Sequence, residues 1–444
     1  MKNFKRPNFM KFASLRQSNI FLTIFSTILP AFPIFSLIIR GWVSAILFIS
    51  SALALLIFWW HAYFKNTALI VVDGPEVASS RLNSYIYILC FIFWLPLLSV
   101  AFSQILNGVW DVSRFDAPSR YIFSLVILFA LLNFKNTVAT LFEYVFPLAS
   151  LATFLLIPFL PKTGWATLDS RLTVYFIDPL IFGQLCLVFG ILSLFSINLN
   201  GSRPLWINGF KLLGGGIGIY LSLMSQSRTG WLAAPIIFLF WLFSCMRGRY
   251  FKSLIIALVA AMLLSISAYQ SSRIVKGRID SLISEISNYH WNSMNEYSSV
   301  GARISWIRIG FHYFSLRPIS GWGDENLEFR INDSEVVIYA SQATREELMR
   351  VGFHNDYIAN MVHYGILGLL SILLIFLGPL SFFWYCFYRQ IGVRYASFGI
   401  AYVLIQAVSS LSYHILEFKF MASFYALMIV VITGNIFWQA KLKQ

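Results

Sequence analysis

Apolar runs long enough to cross a hydrocarbon core recur along this 444-residue chain. They leave few folds open, because backbone in lipid must satisfy its own hydrogen bonds. Residues 20–39, 42–64, 84–106 and 421–438 are examples, and none of these runs contains a charged side chain. The same rule applied throughout predicts an all-α polytopic membrane protein with about 12 transmembrane helices. A composition of 58% hydrophobic and 12% charged residues agrees, and sets the chain apart from an ordinary soluble domain.

One stretch breaks the pattern. Residues from about 270 to about 361 are hydrophilic, and charged groups on irregular backbone are held out of lipid. Three parts follow: residues 1–269 with the first nine spans, residues 270–361 as one long external loop, and residues 362–444 with the last three spans. The loop is where chemistry is expected.

A formal charge of +14 would point a soluble protein toward nucleic acid, but here the placement of the cations sets topology instead. Lys2, Lys5, Arg6, Lys11 and Arg16 precede the first run and fix the N-terminus in the cytoplasm. Alternating from there, short connections on that side, with Lys135, Lys211 and Arg394 among their cations, hold roughly 17 against roughly 7 opposite. Both termini are therefore expected in the cytoplasm and the long loop outside. The first run is too long for a cleaved signal and lacks a small-x-small site, so it reads as a retained span. Cys90, Cys186, Cys245 and Cys386 each fall within a span without ligand spacing, which predicts neither disulfides nor structural zinc.

Within the spans, Glu143 stands out as an acid in an apolar run, a candidate for function or for a bond to Lys135 near the cytoplasmic end. The glycines of residues 212–218 follow no strand, so they read as helix-packing positions rather than a phosphate loop. In the external loop, residues 301–317 have helical spacing with Ile304, Ile307, Phe311 and Phe314 on one side, predicting an amphipathic helix on the membrane interface. Pro318 and Gly321-Trp322-Gly323-Asp324 end it. A second helix is expected over about 341–351.

Four residues are candidates for chemistry. Arg228, framed by Ser225, Ser227 and Thr229 at the tip of a span, has the planar fork that suits phosphate oxygens; the alternative is an arginine snorkelling to the interface. Arg303 reads either as an anion-binding group or as a solvated charge on its helix. Arg171 belongs to a short external loop, where cations are common. His354 titrates near neutral pH and, in a buried pocket, would accept a proton from an attacking hydroxyl, although a lone histidine is more often structural.

Taken in order, Ser227-Arg228-Thr229-Gly230-Trp231, Arg303 with Trp306, Pro318 to Gly323, His354-Asn355-Asp356-Tyr357 and Tyr364-Gly365-Ile366-Leu367-Gly368 resemble the O-antigen ligase and polymerase superfamily. The ordered set covers the second half of the chain; the first half is similar only in its hydropathy. The resemblance implies a GT-C-like, metal-independent glycosyltransferase of the bacterial inner membrane, with its active site in the periplasm and no cofactor. It implies an undecaprenyl-diphosphate-linked glycan as donor and the lipid A core as acceptor, with no nucleic acid partner. The family's essential histidine falls on His354 and its two essential arginines on Arg228 and Arg303, while Arg171 carries over with a less distinctive surrounding match. Asn355 or Asp356 is expected to orient the His354 ring.

Three alternatives stay open. An O-antigen polymerase would use a second lipid-linked glycan as acceptor, and a protein O-oligosaccharyltransferase a Ser or Thr side chain. A lipid-linked glycan flippase, from a different class, would need charges lining a path through several spans.

Overall fold

The computed structural model describes residues 20–65, 76–133, 138–164, 171–197, 204–231, 233–245, 273–291, 298–323, 330 and 332–442, with residue 166 and isolated positions between 255 and 271. Its described regular structure is helical. The elements are α1 (Ile20–Ala31), α2 (Trp42–Lys65), α3 (Glu76–Asn107), α4 (Asp116–Asn133), α5 (Val138–Leu156), α6 (Pro179–Phe195) and α7 (Leu205–Met224). They continue with α8 (Ala233–Cys245), α9 (Arg273–Ser287), α10 (Ser299–Leu316), α11 (Gln342–Val351), α12 (Asp356–Tyr388), α13 (Val393–Ser409) and α14 (Lys419–Leu442).

Among the described residues, 7 helices are long and apolar enough to cross a membrane, with α1, α6 and α13 apolar but shorter. The chain is thus a multi-pass helical membrane protein. The run at 20–39 is not one span: α1 stops in a 3-10 turn at Leu29–Ala31, where Pro30 removes a backbone donor and Pro33 follows. The ninth expected span, before residue 270, falls largely outside the described residues.

α14 runs through the middle of the bundle with its membrane window 94% buried, packed against α4, α13 and α2. α6 and α7 pack so closely that a Cβ on Gly218 would meet the backbone of Gly190 at 2.6 Å, the role expected of the glycine-rich run. At one end of the bundle, Lys211 Nζ donates to Glu143 Oε2 at 3.2 Å and to Ser196 O at 2.6 Å. Arg394 Nη1 donates to the other Glu143 oxygen and its Nη2 to Ser196 O at 2.6 Å. This corrects one expectation: Lys211 is fully buried inside the bundle rather than a loop cation. Glu143 is held by Lys211 and Arg394, and the expected partner Lys135 lies outside the described residues.

The opposite end carries a second, smaller core built from Ala302, Trp306, Ile309, Tyr313, Trp322, Val336, Ala340, Leu348, Phe353, Ile358 and Val362. α10 belongs to it. Its buried face is Ala302, Trp306, Ile309 and Tyr313, whereas Phe311, placed by the sequence pattern on the apolar side, is exposed. The small Gly310 decides this, because a Cβ there would collide with Ile358 of α12. α10 is therefore packed on one face against α12, with Phe311 on its exposed face.

α12 is kinked at Gly365, where φ is +65° and ψ is -153°. Only glycine takes that conformation without strain. The break frees Ile366 N–H to donate to Pro318 O at 2.7 Å, while Trp322 N–H and Gly323 N–H donate to Val362 O at 2.9 Å and His363 O at 3.0 Å. Ser103 Oγ on α3 donates to Ser320 O at 2.7 Å. The kink thus docks the Pro318 to Gly323 turn onto the first turns of α12, and fixes the segment that precedes them.

Candidate functional site

His354 lies in the short link between α11 and α12. α11 ends at Gly352, whose φ of +76° reverses the chain. Asn355 then caps α12, accepting from Tyr357 N–H at 2.9 Å and Ile358 N–H at 3.1 Å. Between them His354 is held at φ +48°, a left-handed conformation uncommon outside glycine and found more often where a side chain must be aimed. The only other described non-glycine residues of this kind are Gln226, at φ +52°, and Gln390. Gln226 immediately precedes the Ser227-Arg228 turn.

The imidazole of His354 is stacked on Trp306, with ring centroids 5.4 Å apart and planes at 23°. Trp306 is itself fixed by its Nε1–H donating to Thr344 O at 2.9 Å. Tyr413 approaches at 4.9 Å and His414 at 5.4 Å, the latter nearly perpendicular. The Nδ1 atom of His354 is buried without a hydrogen-bond partner among the described residues. Burial, the His414 ring and the guanidiniums of Arg303 and Arg350 push the imidazole down from 6.5 to about 3. It is a neutral base at any ordinary pH.

Arg303 stands one turn before Trp306 on α10, and its charge acts on His354. These two candidates are therefore brought together. Arg228 opens the short helical turn Arg228–Trp231, which packs on α6 and α13; the side chain of Arg228 lies outside the described residues. Arg171 precedes Leu172, whose N–H donates to Met224 O at 3.3 Å. That bond ties its loop to the end of α7, four residues before Arg228. The same loop leads to Asp178, whose charge acts on Tyr413 beside His354. All four candidates thus belong to segments at one end of the bundle, the end opposite the Glu143 cluster.

Neither neighbour of His354 orients its ring, contrary to expectation. Asn355 is occupied as a cap and donates through Nδ2 to Leu411 O at 2.9 Å. Asp356 is fully buried and accepts from Ser410 Oγ at 2.6 Å, Ile415 N–H at 2.9 Å and Leu416 N–H at 3.2 Å. Both pin the loop between α13 and α14. That loop carries Tyr413 and His414, two site neighbours that sequence patterning missed because the segment is remote in the chain and reads as the end of a span. Among the described residues no cluster of three or more His, Cys, Asp or Glu is arranged to hold a metal ion. A half-enclosed cavity of about 280 Å³ lies beyond Asp356, with Arg114, Glu417 and Lys419 among its polar lining and Val100, Tyr121 and Ile375 among its apolar lining.

Fold and site together define a multi-pass helical membrane protein that presents a buried neutral imidazole beside a guanidinium at one end of its bundle. Residues 213–373 match the family model described as O-antigen ligase. That segment is thus similar to the O-antigen ligase family, and Arg228, Arg303 and His354 fall within it, while Arg171 falls outside it. The chain is also 25% identical over 315 residues to an uncharacterized protein of Haemophilus influenzae, an alignment spanning 69% of this chain and 73% of that protein.

Proposed function

We propose that this protein is a glycosyltransferase that moves a glycan from undecaprenyl diphosphate onto the lipid A core at the periplasmic face of the bacterial inner membrane. The observation that carries the reading is the stacking of His354 on Trp306, one turn from Arg303 on α10, inside the segment that matches the O-antigen ligase family. In this reading the chain crosses the membrane about 12 times, both termini are cytoplasmic, and residues 270–361 form the periplasmic region between membrane parts 1–269 and 362–444.

His354 accepts the proton of the acceptor hydroxyl as its oxygen attacks the anomeric carbon of the donor sugar, a role worth roughly 10² to 10⁴ in rate. The bond from that carbon to the diphosphate oxygen breaks, and the diphosphate leaves with its growing negative charge. Arg303, Arg228 and Arg171 meet that charge, as positioned guanidiniums stabilise anionic leaving groups by several kcal/mol in a water-poor site. An apolar groove bordered by Phe154, Leu212, Leu213, Ile217 and Tyr220 runs along α5 and α7. It ends near the Arg171 and Arg228 loops and suits the polyprenyl tail.

A flippase is disfavoured by the disposition of buried charge. Glu143, Lys211 and Arg394 are closed on one another at the far end of the bundle rather than strung along a path. Deleting the gene and running the host's lipopolysaccharide on a gel tests the proposal. Core-only material with accumulated lipid-linked polymer is the expected result. Core bearing a single repeat would identify a polymerase instead, and an unchanged ladder with an unglycosylated protein target a protein transferase.

A further inference from the structure

We infer that His414 is the second imidazole of the site, taking the proton that His354 abstracts and passing it through Glu417 to water. The inference rests on the transferase reading above and adds a residue that no motif of the matched segment contains, since His414 lies beyond residue 373.

The placement of charge carries the argument. A base that has taken a proton must release it before the next turnover, and His354 is poorly placed to do so alone. Trp306 stacks on one side of its ring and Tyr413 closes another. Arg303 acts on it from α10 and, more weakly, Arg350 from α11, where Glu347 pairs with it, so an imidazolium is repelled chiefly on the α10 side. Among the described residues, His414 is the imidazole that faces it, at 5.4 Å between ring centroids and 81° between planes. Nδ1 of both rings is buried without a hydrogen-bond partner among the described residues.

Beyond His414 the sign of the field reverses. Its Nε2 lies 4.0 Å from Glu417 Oε2, and the Glu417 side chain is 54% exposed. Burial holds the His414 imidazole below its ordinary value, while Glu417 draws a proton toward it and His363 opposes that. Arg114 Nη1 reaches the other Glu417 oxygen at 3.4 Å, which keeps the carboxylate anchored beside the histidine. A proton on His354 therefore has the Arg303 guanidinium behind it and a solvent-exposed carboxylate ahead. The sequence of bonds balances: the acceptor O–H breaks, the proton passes from His354 to His414 to Glu417 and then to water, and His354 returns neutral.

The backbone supports this use of the loop. Asp356 accepts from Ile415 and Leu416, the residues directly after His414, so the ring is set by a buried carboxylate on the same helix start that follows His354. His414 also stacks on Phe418, with centroids 5.3 Å apart and planes at 22°.

The test uses the full chain in detergent or nanodiscs with lipid-linked glycan and rough lipopolysaccharide. His414→Gln is expected to lower kcat by about 10- to 100-fold, in line with proton-transfer roles, with KM for the donor unchanged. Glu417→Gln, on an exposed residue, is expected to lower kcat by a smaller factor and to raise the solvent deuterium isotope effect. Added imidazole should restore part of the turnover of His414→Gly. Titration of ¹³C-labelled His354 without substrate should move upward in His414→Gln, a readout independent of any transfer. Turnover within twofold of the parent in both variants, with His354 titrating as before, would overturn the relay. Should His354→Ala also transfer normally, the base assignment itself fails; a dead His354→Ala beside a fully active His414→Gln removes the relay alone.

Discussion

His354 works, in this account, because its surroundings deny it a proton at rest. Burial and three neighbouring positive or protonatable groups hold it near 3 rather than 6.5. Activity in the free enzyme should therefore persist on acidification well below the ordinary histidine range, and a kcat/KM profile will read it. Removing the Arg303 charge takes away a repulsion against the imidazolium and raises the pKa. In Arg303→Gln the acid limb is thus expected at higher pH, together with a loss of roughly 10² to 10³ in kcat for a lost anion-stabilising group. An acid limb that stays put in Arg303→Gln would separate the two residues. The same depression acts on stability. Below 6.5 the unfolded chain binds a proton at this position that the folded chain refuses, so His354 draws stability down as pH falls from 6.5 toward about 3. His354 and Arg303 stand out in the sequence because each belongs to an ordered set of short motifs, whereas the orienting role was expected of the adjacent Asn355 and Asp356. Adjacency misled because those side chains face the loop between α13 and α14 and are consumed in capping it.

At the level of elements, the site depends on the broken helix and on the pinned loop. Asp356 satisfies three donors in a buried setting. Asp356→Ala should cost about 1–3 kcal/mol for each donor left unsatisfied, visible as a lower midpoint in thermal unfolding, with turnover lost as Tyr413 and His414 shift from the His354 ring. A midpoint equal to the parent would contradict the pinning. Gly365→Ala is expected to be worse for function than for folding of the membrane part, because a Cβ there meets the Pro318 and Ile319 carbonyls that dock on the kink. The helices themselves were legible from apolar run length. The kink was not, since Gly365 sits in a run whose hydropathy reads as one continuous span and the residues docked on it, Pro318 and Ile319, lie 47 and 46 residues earlier. The buried face of α10 escaped because it mixes sizes: Gly310 lets the helix approach Ile358 of α12, Trp306 and Tyr313 turn inward and Phe311 turns outward.

For the molecule as a whole, chemistry and anchoring occupy opposite ends of one bundle. The Glu143 cluster joins α5, α6, α7 and α13 through Lys211, Ser196 and Arg394. Glu143→Gln leaves Lys211 buried without its counter-charge and should destabilise by about 3–5 kcal/mol, while Glu143→Gln with Lys211→Met should recover most of that loss. No recovery in the double variant would mean that the ion pair is not what the bundle relies on. Alternating apolar runs made the membrane architecture readable, but the sequence counted Lys211 as a loop cation because only packing can bury a lysine beside an acid 68 residues away. The central claim is that His354, with the arginines around it, transfers a lipid-linked glycan. Its most direct measurement is transfer by purified protein in nanodiscs, with undecaprenyl-diphosphate-linked glycan, rough lipopolysaccharide and EDTA. The account predicts a glycan-bearing lipopolysaccharide ladder from the parent chain and core-only material from His354→Ala. A ladder of normal intensity from His354→Ala, or none from the parent, would contradict it.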